Sequence, residues 1–263
     1  MYLLMKRIGI LIILAITLHS CNLLSAAGIT SGGQPTKQAP DKLTSSTANS
    51  VENVDHSTWD ALLKKHVDAN GMVDYKGFEK DRSKLNNYLE QLSSYEPSEE
   101  WSVQELLAYY INLYNAYTVD LILNNYPVES IKDINGAWTK SIVPVGNKTL
   151  SLGGIENGVL RKMNEPRIHF AINCASNSCP PLGNRIISAP ILDQQLENKT
   201  SQFINNDHNV KLDTENRYLF LNRIFKWYKN DFESSNQSMI EYILDYRTDF
   251  TYEEKRKIIS EYK

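Results

Sequence analysis

The sequence predicts an α+β domain, with many helices, one of them buried and central, packed around a small and mostly antiparallel sheet. Three observations carry this. Apolar residues recur at helical spacing over most of the chain after residue 53. One such segment, Val103 to about Asn125, is apolar around nearly its whole circumference, as buried helices are. Two short β-like pairs flank turn sequences, Gly146-Asn147 and Asp213-Thr214-Glu215-Asn216. Helices that must cover a few short strands make an α+β layer arrangement.

The start of the chain stands outside that domain. Lys6 and Arg7 precede an eleven-residue apolar run, Ile8–Leu18, and then His19-Ser20-Cys21. A helix needs about 20 apolar residues to cross a bilayer, so residues 1–20 read as a signal peptide rather than a span. Leu18-His19-Ser20-Cys21 resembles the lipobox of bacterial lipoproteins, with a small residue before the cysteine and His19 as a departure from the usual pattern. Cys21 is then the lipidation site, and acyl chains there hold the protein on a membrane surface. Asn22 in place of aspartate favours the outer membrane of a two-membrane envelope. Residues 22–52, rich in Ser, Thr, Ala, Gly and Asn, read as a flexible tether. Residues 53–263 form one globular domain.

Within that domain the elements follow in order. A first helix starts near Ser57 and aligns Trp59, Leu62, Leu63, His66 and Val67; His66 reads as a core-edge residue. Asn70-Gly71 breaks it. A second helix carries Phe78, Leu85, Leu89 and Leu92. Ser102 and Glu105 make a capping box for the central helix, which ends before Pro127. A short helix spans 128–134, and a hairpin 141–152. A further helix covers 153–162 and a strand covers 167–173. A helix over 192–205, a second hairpin and helices near 225–232, 239–246 and 252–262 complete the chain.

Composition narrows the function. The chain has 263 residues, 41% hydrophobic and 22% charged, with a formal charge of -3; losing Lys6 and Arg7 takes it from -3 to -5. No basic stripe with interleaved aromatics is present, so nucleic acid is a poor partner. No cofactor motif is evident. With Cys21 assigned to lipid, two of the three cysteines remain, in a compartment that permits disulfides.

Four segments carry a family resemblance: Tyr109-Tyr110-Ile111-Asn112-Leu113-Tyr114-Asn115-Ala116; Tyr126-Pro127-Val128-Glu129-Ser130-Ile131; Leu150-Ser151-Leu152-Gly153-Gly154-Ile155-Glu156 with Leu160-Arg161; and the run from Arg167 to Pro181. Together, over roughly residues 55–250, they resemble the family called domain of unknown function 547. The resemblance implies no defined activity. A more distant kinship with papain-like cysteine hydrolases meets a departure, since no cysteine stands at the start of the central helix.

The candidate constellation is Asn112, Asn115, Glu156, His169, Cys174 and Cys179. A cysteine hydrolase needs a thiolate, an imidazole and a group to orient that imidazole. On a strand, His169 and Cys174 would lie roughly 16 Å apart and on opposite faces. Cys174 is the better nucleophile candidate, because Ala175, Ser176 and Asn177 offer backbone N–H groups whereas Pro180 and Pro181 after Cys179 offer none. The two cysteines also fit a small-loop disulfide, two unreactive thiols, or zinc with His169, though His-x4-Cys-x4-Cys is not a familiar ligand spacing. His169 is expected to face inward and bond Asn112 or Asn115. Arg161 and Arg167 fit either a substrate carboxylate or structural salt bridges.

Two functions follow. The first is a non-enzymatic envelope lipoprotein that binds a partner protein or a small ligand. The second is a cysteine-dependent hydrolase or transferase acting on amide or thioester bonds. The first asks less of the residues. Convergence of His169, Glu156 and a cysteine favours the second; a disulfide with His169 pointing elsewhere favours the first.

Overall fold

A computed structural model describes residues 28–40, 43, 54–176, 179–213, 216, 218–234 and 236–261. The expected signal peptide, residues 1–20, and Cys21 lie outside these residues. Among them run nine α-helices and four strands: α1 (Ser57–His66), α2 (Tyr75–Lys80), α3 (Arg82–Ser93), α4 (Val103–Leu123), β1 (Val143–Val145), β2 (Lys148–Leu150), α5 (Leu192–Ile204), β3 (Val210–Asp213), β4 (Tyr218–Leu221), α6 (Arg223–Trp227), α7 (Lys229–Phe232), α8 (Met239–Tyr246) and α9 (Tyr252–Glu261). The class is α+β, as the periodicity predicts. No described helix is long and apolar enough to cross a membrane.

The central helix α4 organises the larger core. The Ser102 hydroxyl accepts from the Glu105 N–H at 3.1 Å, and Glu105 accepts from the Ser102 N–H at 2.9 Å. This reciprocal cap satisfies donors that have no partner within the helix. Seventeen of the 21 residues are buried. Its tyrosines bring polar ends into that core, where Tyr109, Tyr110 and Tyr114 find partners. Tyr109 donates to the Leu92 carbonyl at 2.9 Å and Tyr110 to Gln34 at 2.8 Å. The α1–α3 layer packs beside it, with Trp59 stacked on Tyr88. His66 is structural: its Nε2 meets Asp81 at 2.8 Å.

A second, smaller cluster gathers Phe170, Phe203, Phe225, Phe232 and Tyr242 with aliphatic neighbours. Short helices α6, α7 and α8 supply most of it, packed on α5.

The structure revises several local expectations. The sheet is two separate two-stranded hairpins, β1–β2 and β3–β4, both antiparallel. The second predicted helix is two, α2 and α3, divided at Asp81. The helix expected over 153–162 is a π-helical turn, Gly154–Val159, followed by a 3-10 turn, Leu160–Met163. The strand expected over 167–173 is a 3-10 turn, Pro166–Phe170. Pro166 occupies its first turn and the Glu165 carboxylate accepts from the Arg167 N–H, so the local chemistry starts a helix. Ile168, His169 and Phe170 are successive and all buried, because they lie between two cores rather than on one face of a sheet.

Residues 28–40 depart from the expected tether. They lie against the domain as a strap. Gln34 and Ala39 are buried, the Ala39 N–H donates to the Met163 carbonyl, and Lys37 donates to the Trp101 carbonyl at 2.7 Å. Leu43 is also buried. A Cβ on Gly158 would sit 2.3 Å from the Thr30 carbonyl oxygen, so this close approach requires glycine.

Candidate functional site

Where the two cores meet, a narrow cleft brings Glu156, His169, Cys174 and Cys179 together, with Tyr114, Ile224, Trp227 and Tyr228 among its walls. Its volume is about 40 Å³, room for a few water-sized groups. Replacement of the expected strand by a 3-10 turn explains the convergence. The strand-based separation of His169 from Cys174 therefore does not apply.

His169 is 1% exposed. Its ring stacks on Tyr228 with centroids 3.8 Å apart and leans on Phe232 at 5.5 Å. Nε2 lies 2.8 Å from the Asp231 carboxylate. Because an ionised carboxylate only accepts, this contact assigns the proton to Nε2 and leaves Nδ1 as an acceptor in the neutral ring. Nδ1 is buried and has no hydrogen-bond partner among the described residues.

Asp231 is the orienting group. Arg161 grips it with two bonds, Nε at 2.6 Å and a terminal nitrogen at 2.7 Å. Burial alone would raise the Asp231 pKa, but the bonds from Arg161 and His169 outweigh burial and hold it at about 2. Arg161 also donates to Asn157 and lies over the Tyr228 ring at 5.2 Å.

Glu156, on the π-helical turn, is 6% exposed and accepts from both Tyr114 and Tyr228 hydroxyls. Burial pushes both phenols well up, and the Glu156 charge beside them pushes further. They therefore remain donors. With Arg161 balanced by Asp231, Glu156 leaves the site one negative charge in excess.

Cys174 and Cys179 form a disulfide with Cα atoms 6.0 Å apart. Of the four states open to this pair, the structure has the crosslink. The Ala175 N–H, counted as an oxyanion donor, instead bonds the Asn173 side chain at 2.9 Å.

The predicted partners of His169 are elsewhere. Asn112 bonds the Ile187 backbone through both N–H and carbonyl. Asn115 donates to the Ala171 carbonyl at 3.0 Å and accepts from the Asn173 N–H at 2.8 Å. Both fasten loops to α4. Arg167 is held by Glu165, Asp193 and Glu197, so neither it nor Arg161 is free for a substrate carboxylate. Sequence reasoning missed Asp231 and Tyr228 altogether. Asp231 lies on α7 and Tyr228 at the junction of α6 and α7, a stretch that carries no motif, and only packing brings them to His169.

The family model described as protein of unknown function, DUF547, matches residues 98–204. No curated protein and no solved structure matches the chain. The matched region supplies Tyr114, Glu156, His169, Cys174 and Cys179; Asp231, Tyr228 and Trp227 come from beyond it.

Proposed function

We propose that this protein, whose residues 98–204 match the DUF547 family model, is an envelope lipoprotein whose cleft binds a small ligand through a hydrogen-bond donor, such as an amine or a hydroxyl. One observation carries this reading: the buried Nδ1 of His169, an acceptor without a described partner, lines a cleft whose residual charge is negative. A buried polar atom left unpaired costs about 1–3 kcal/mol, which a donor-bearing ligand recovers. Anionic ligands are disfavoured by Glu156. Lipid on Cys21 completes the reading. Six residues lie between Cys21 and the docked Gly28, at most roughly 25 Å of chain, so the domain would sit close to the membrane.

The test is titration of the detergent-solubilised full chain with primary amines and polyols, followed by amide NMR shifts. Binding that perturbs the His169 and Tyr228 signals, and weakens at least tenfold in Glu156→Gln for amines, is expected. An equal response to carboxylates, or none at the cleft, sinks the reading. Anchoring is tested separately: Cys21→Ala should move the protein from the membrane to the soluble fraction.

A second reading has its own support. His169, oriented by Asp231, shares the cleft with Cys174, which is the arrangement a cysteine hydrolase uses. It requires the disulfide to be open. Reduced protein that hydrolyses thioester probes, and loses this with Cys174→Ser, would favour it over simple binding.

A further inference from the structure

We propose that the Cys174–Cys179 disulfide is a redox-active pair, which exchanges electrons with thiols, and not only a crosslink. The inference goes beyond the ligand reading, because the exchange needs no occupant in the cleft.

The first observation is position. Both cysteines line the cleft and both are only partly buried, so a thiol can reach them. Structural disulfides are most protected where solvent and thiolates have no access. His169, whose ring is fixed by Asp231 and Tyr228, stands in the same cleft. Its Nδ1, an acceptor in the neutral ring, can take the proton of an attacking thiol, and the imidazolium so formed stabilises the leaving thiolate.

The second observation is a clasp that does not involve sulfur. The Asn173 side chain donates to the Pro180 carbonyl at 2.8 Å and accepts from the Ala175 N–H at 2.9 Å. Asn115 holds the Asn173 N–H and the Ala171 carbonyl from α4. Residues 173 and 180 are the immediate neighbours of the two cysteines. Their bond therefore keeps the ends of the loop together when the S–S bond opens. The disulfide spans only five residues, so closing it removes little chain entropy. A crosslink here adds little stability to ends already bound. What it adds is a reversible oxidation state, with both thiols kept at high effective concentration.

The chemistry balances with a thiol as co-reactant. A thiolate attacks one cysteine sulfur, the S–S bond breaks, and a mixed disulfide forms while the other cysteine leaves as thiolate and takes a proton. A second thiolate attacks the mixed disulfide, releasing the first cysteine, which is protonated in turn. Two thiols are oxidised to a disulfide and the cysteine pair gains two electrons and two protons. The reverse sequence oxidises the pair.

The deciding experiment equilibrates the full chain, in detergent, against mixtures of reduced and oxidised glutathione. Acid quenching, alkylation and intact mass give the fraction reduced, and circular dichroism follows the fold in parallel. The expected result is a complete, reversible transition within accessible glutathione ratios with the dichroism unchanged. A disulfide that survives the most reducing mixture, or opens only as the fold is lost, overturns the proposal. Two variants sharpen it. His169→Gln should slow exchange near neutral pH about tenfold, and Asn173→Ala should slow re-oxidation of the reduced pair at least fivefold. Unchanged rates in both would likewise overturn it, because they would leave the cleft and clasp without a role.

Discussion

The two cores of this molecule are built differently, and the cleft lies at their seam. The larger one is organised by a single 21-residue helix with a capping box and a nearly continuous buried surface. The smaller one is assembled from helices of four to eight residues around phenylalanines packed at tilted angles. The DUF547 match falls on the first and ends at residue 204, where most of the second begins. Each contributes half of the site. Tyr114 and Glu156 come from the first, Tyr228 and Asp231 from the second, and the turn Pro166–Phe170 joins them. Ile168 packs in the larger core and Phe170 in the smaller. The comparison teaches that the family-matched core positions the candidate groups, while the C-terminal unit orients the histidine.

The strongest way to break this comparison is to loosen the smaller core alone. Phe232 is buried against Phe170, Phe225 and Tyr242 and touches the His169 ring. Phe232→Ala should cost about 3–5 kcal/mol in denaturant unfolding. Hydrogen exchange should show the loss concentrated in α6–α8, with α4 amides nearly unchanged; uniform loss would mean one cooperative core. Next comes the seam. Asp231→Asn leaves Arg161 without its counter-charge and should cost about 2–3 kcal/mol, less than a fully buried pair because both partners retain some exposure.

The same carboxylate makes a pH prediction. Its folded pKa is about 2, below the ordinary 3.8, so its contribution is present above pH 4 and is lost as pH falls toward 2. The stability gap between wild type and Asp231→Asn should therefore shrink by about 1–2 kcal/mol between pH 5 and pH 2.5, after allowance for solvent screening. An unchanged gap would remove Asp231 as the ion-pair partner.

Smaller effects probe the larger core and its strap. Gln34→Ala leaves the buried Tyr110 hydroxyl unpaired and should cost about 1–3 kcal/mol, measured by thermal or denaturant unfolding. No loss would mean that the strap adds nothing to the domain. Smallest of all, Ala175 holds a left-handed φ of 50°, which its Cβ disfavours. Ala175→Gly should stabilise the fold by about 0.5 kcal/mol, the relief of that strain being partly offset by glycine's greater freedom when unfolded.

Much of the fold was legible in residues alone. Ser102 and Glu105 mark the start of α4 because capping is a local exchange of hydrogen bonds, and the apolar circumference marks its burial. Both hairpins and α8 follow from equally local signals. Glu156, His169, Cys174 and Cys179 stand out in the sequence as the residue types cysteine chemistry needs, and they do share one cleft. The partners of His169 were not legible. Asn112 and Asn115 have the right spacing on α4, but they spend their hydrogen bonds on the backbones of residues 187, 171 and 173.

By itself, then, the sequence determined the helical scaffold, the membership of a polar constellation and the chemistry that each member offers. These depend on neighbours within a few residues. Tertiary structure alone decided that residues 28–40 dock instead of hanging free, and that Asp231 rather than an asparagine orients His169. The physical reason is the same in each case. Each segment satisfies buried polar groups with partners 60 or more residues away, as Asp231 is from His169 and Gln34 from Tyr110, and no local pattern encodes that distance.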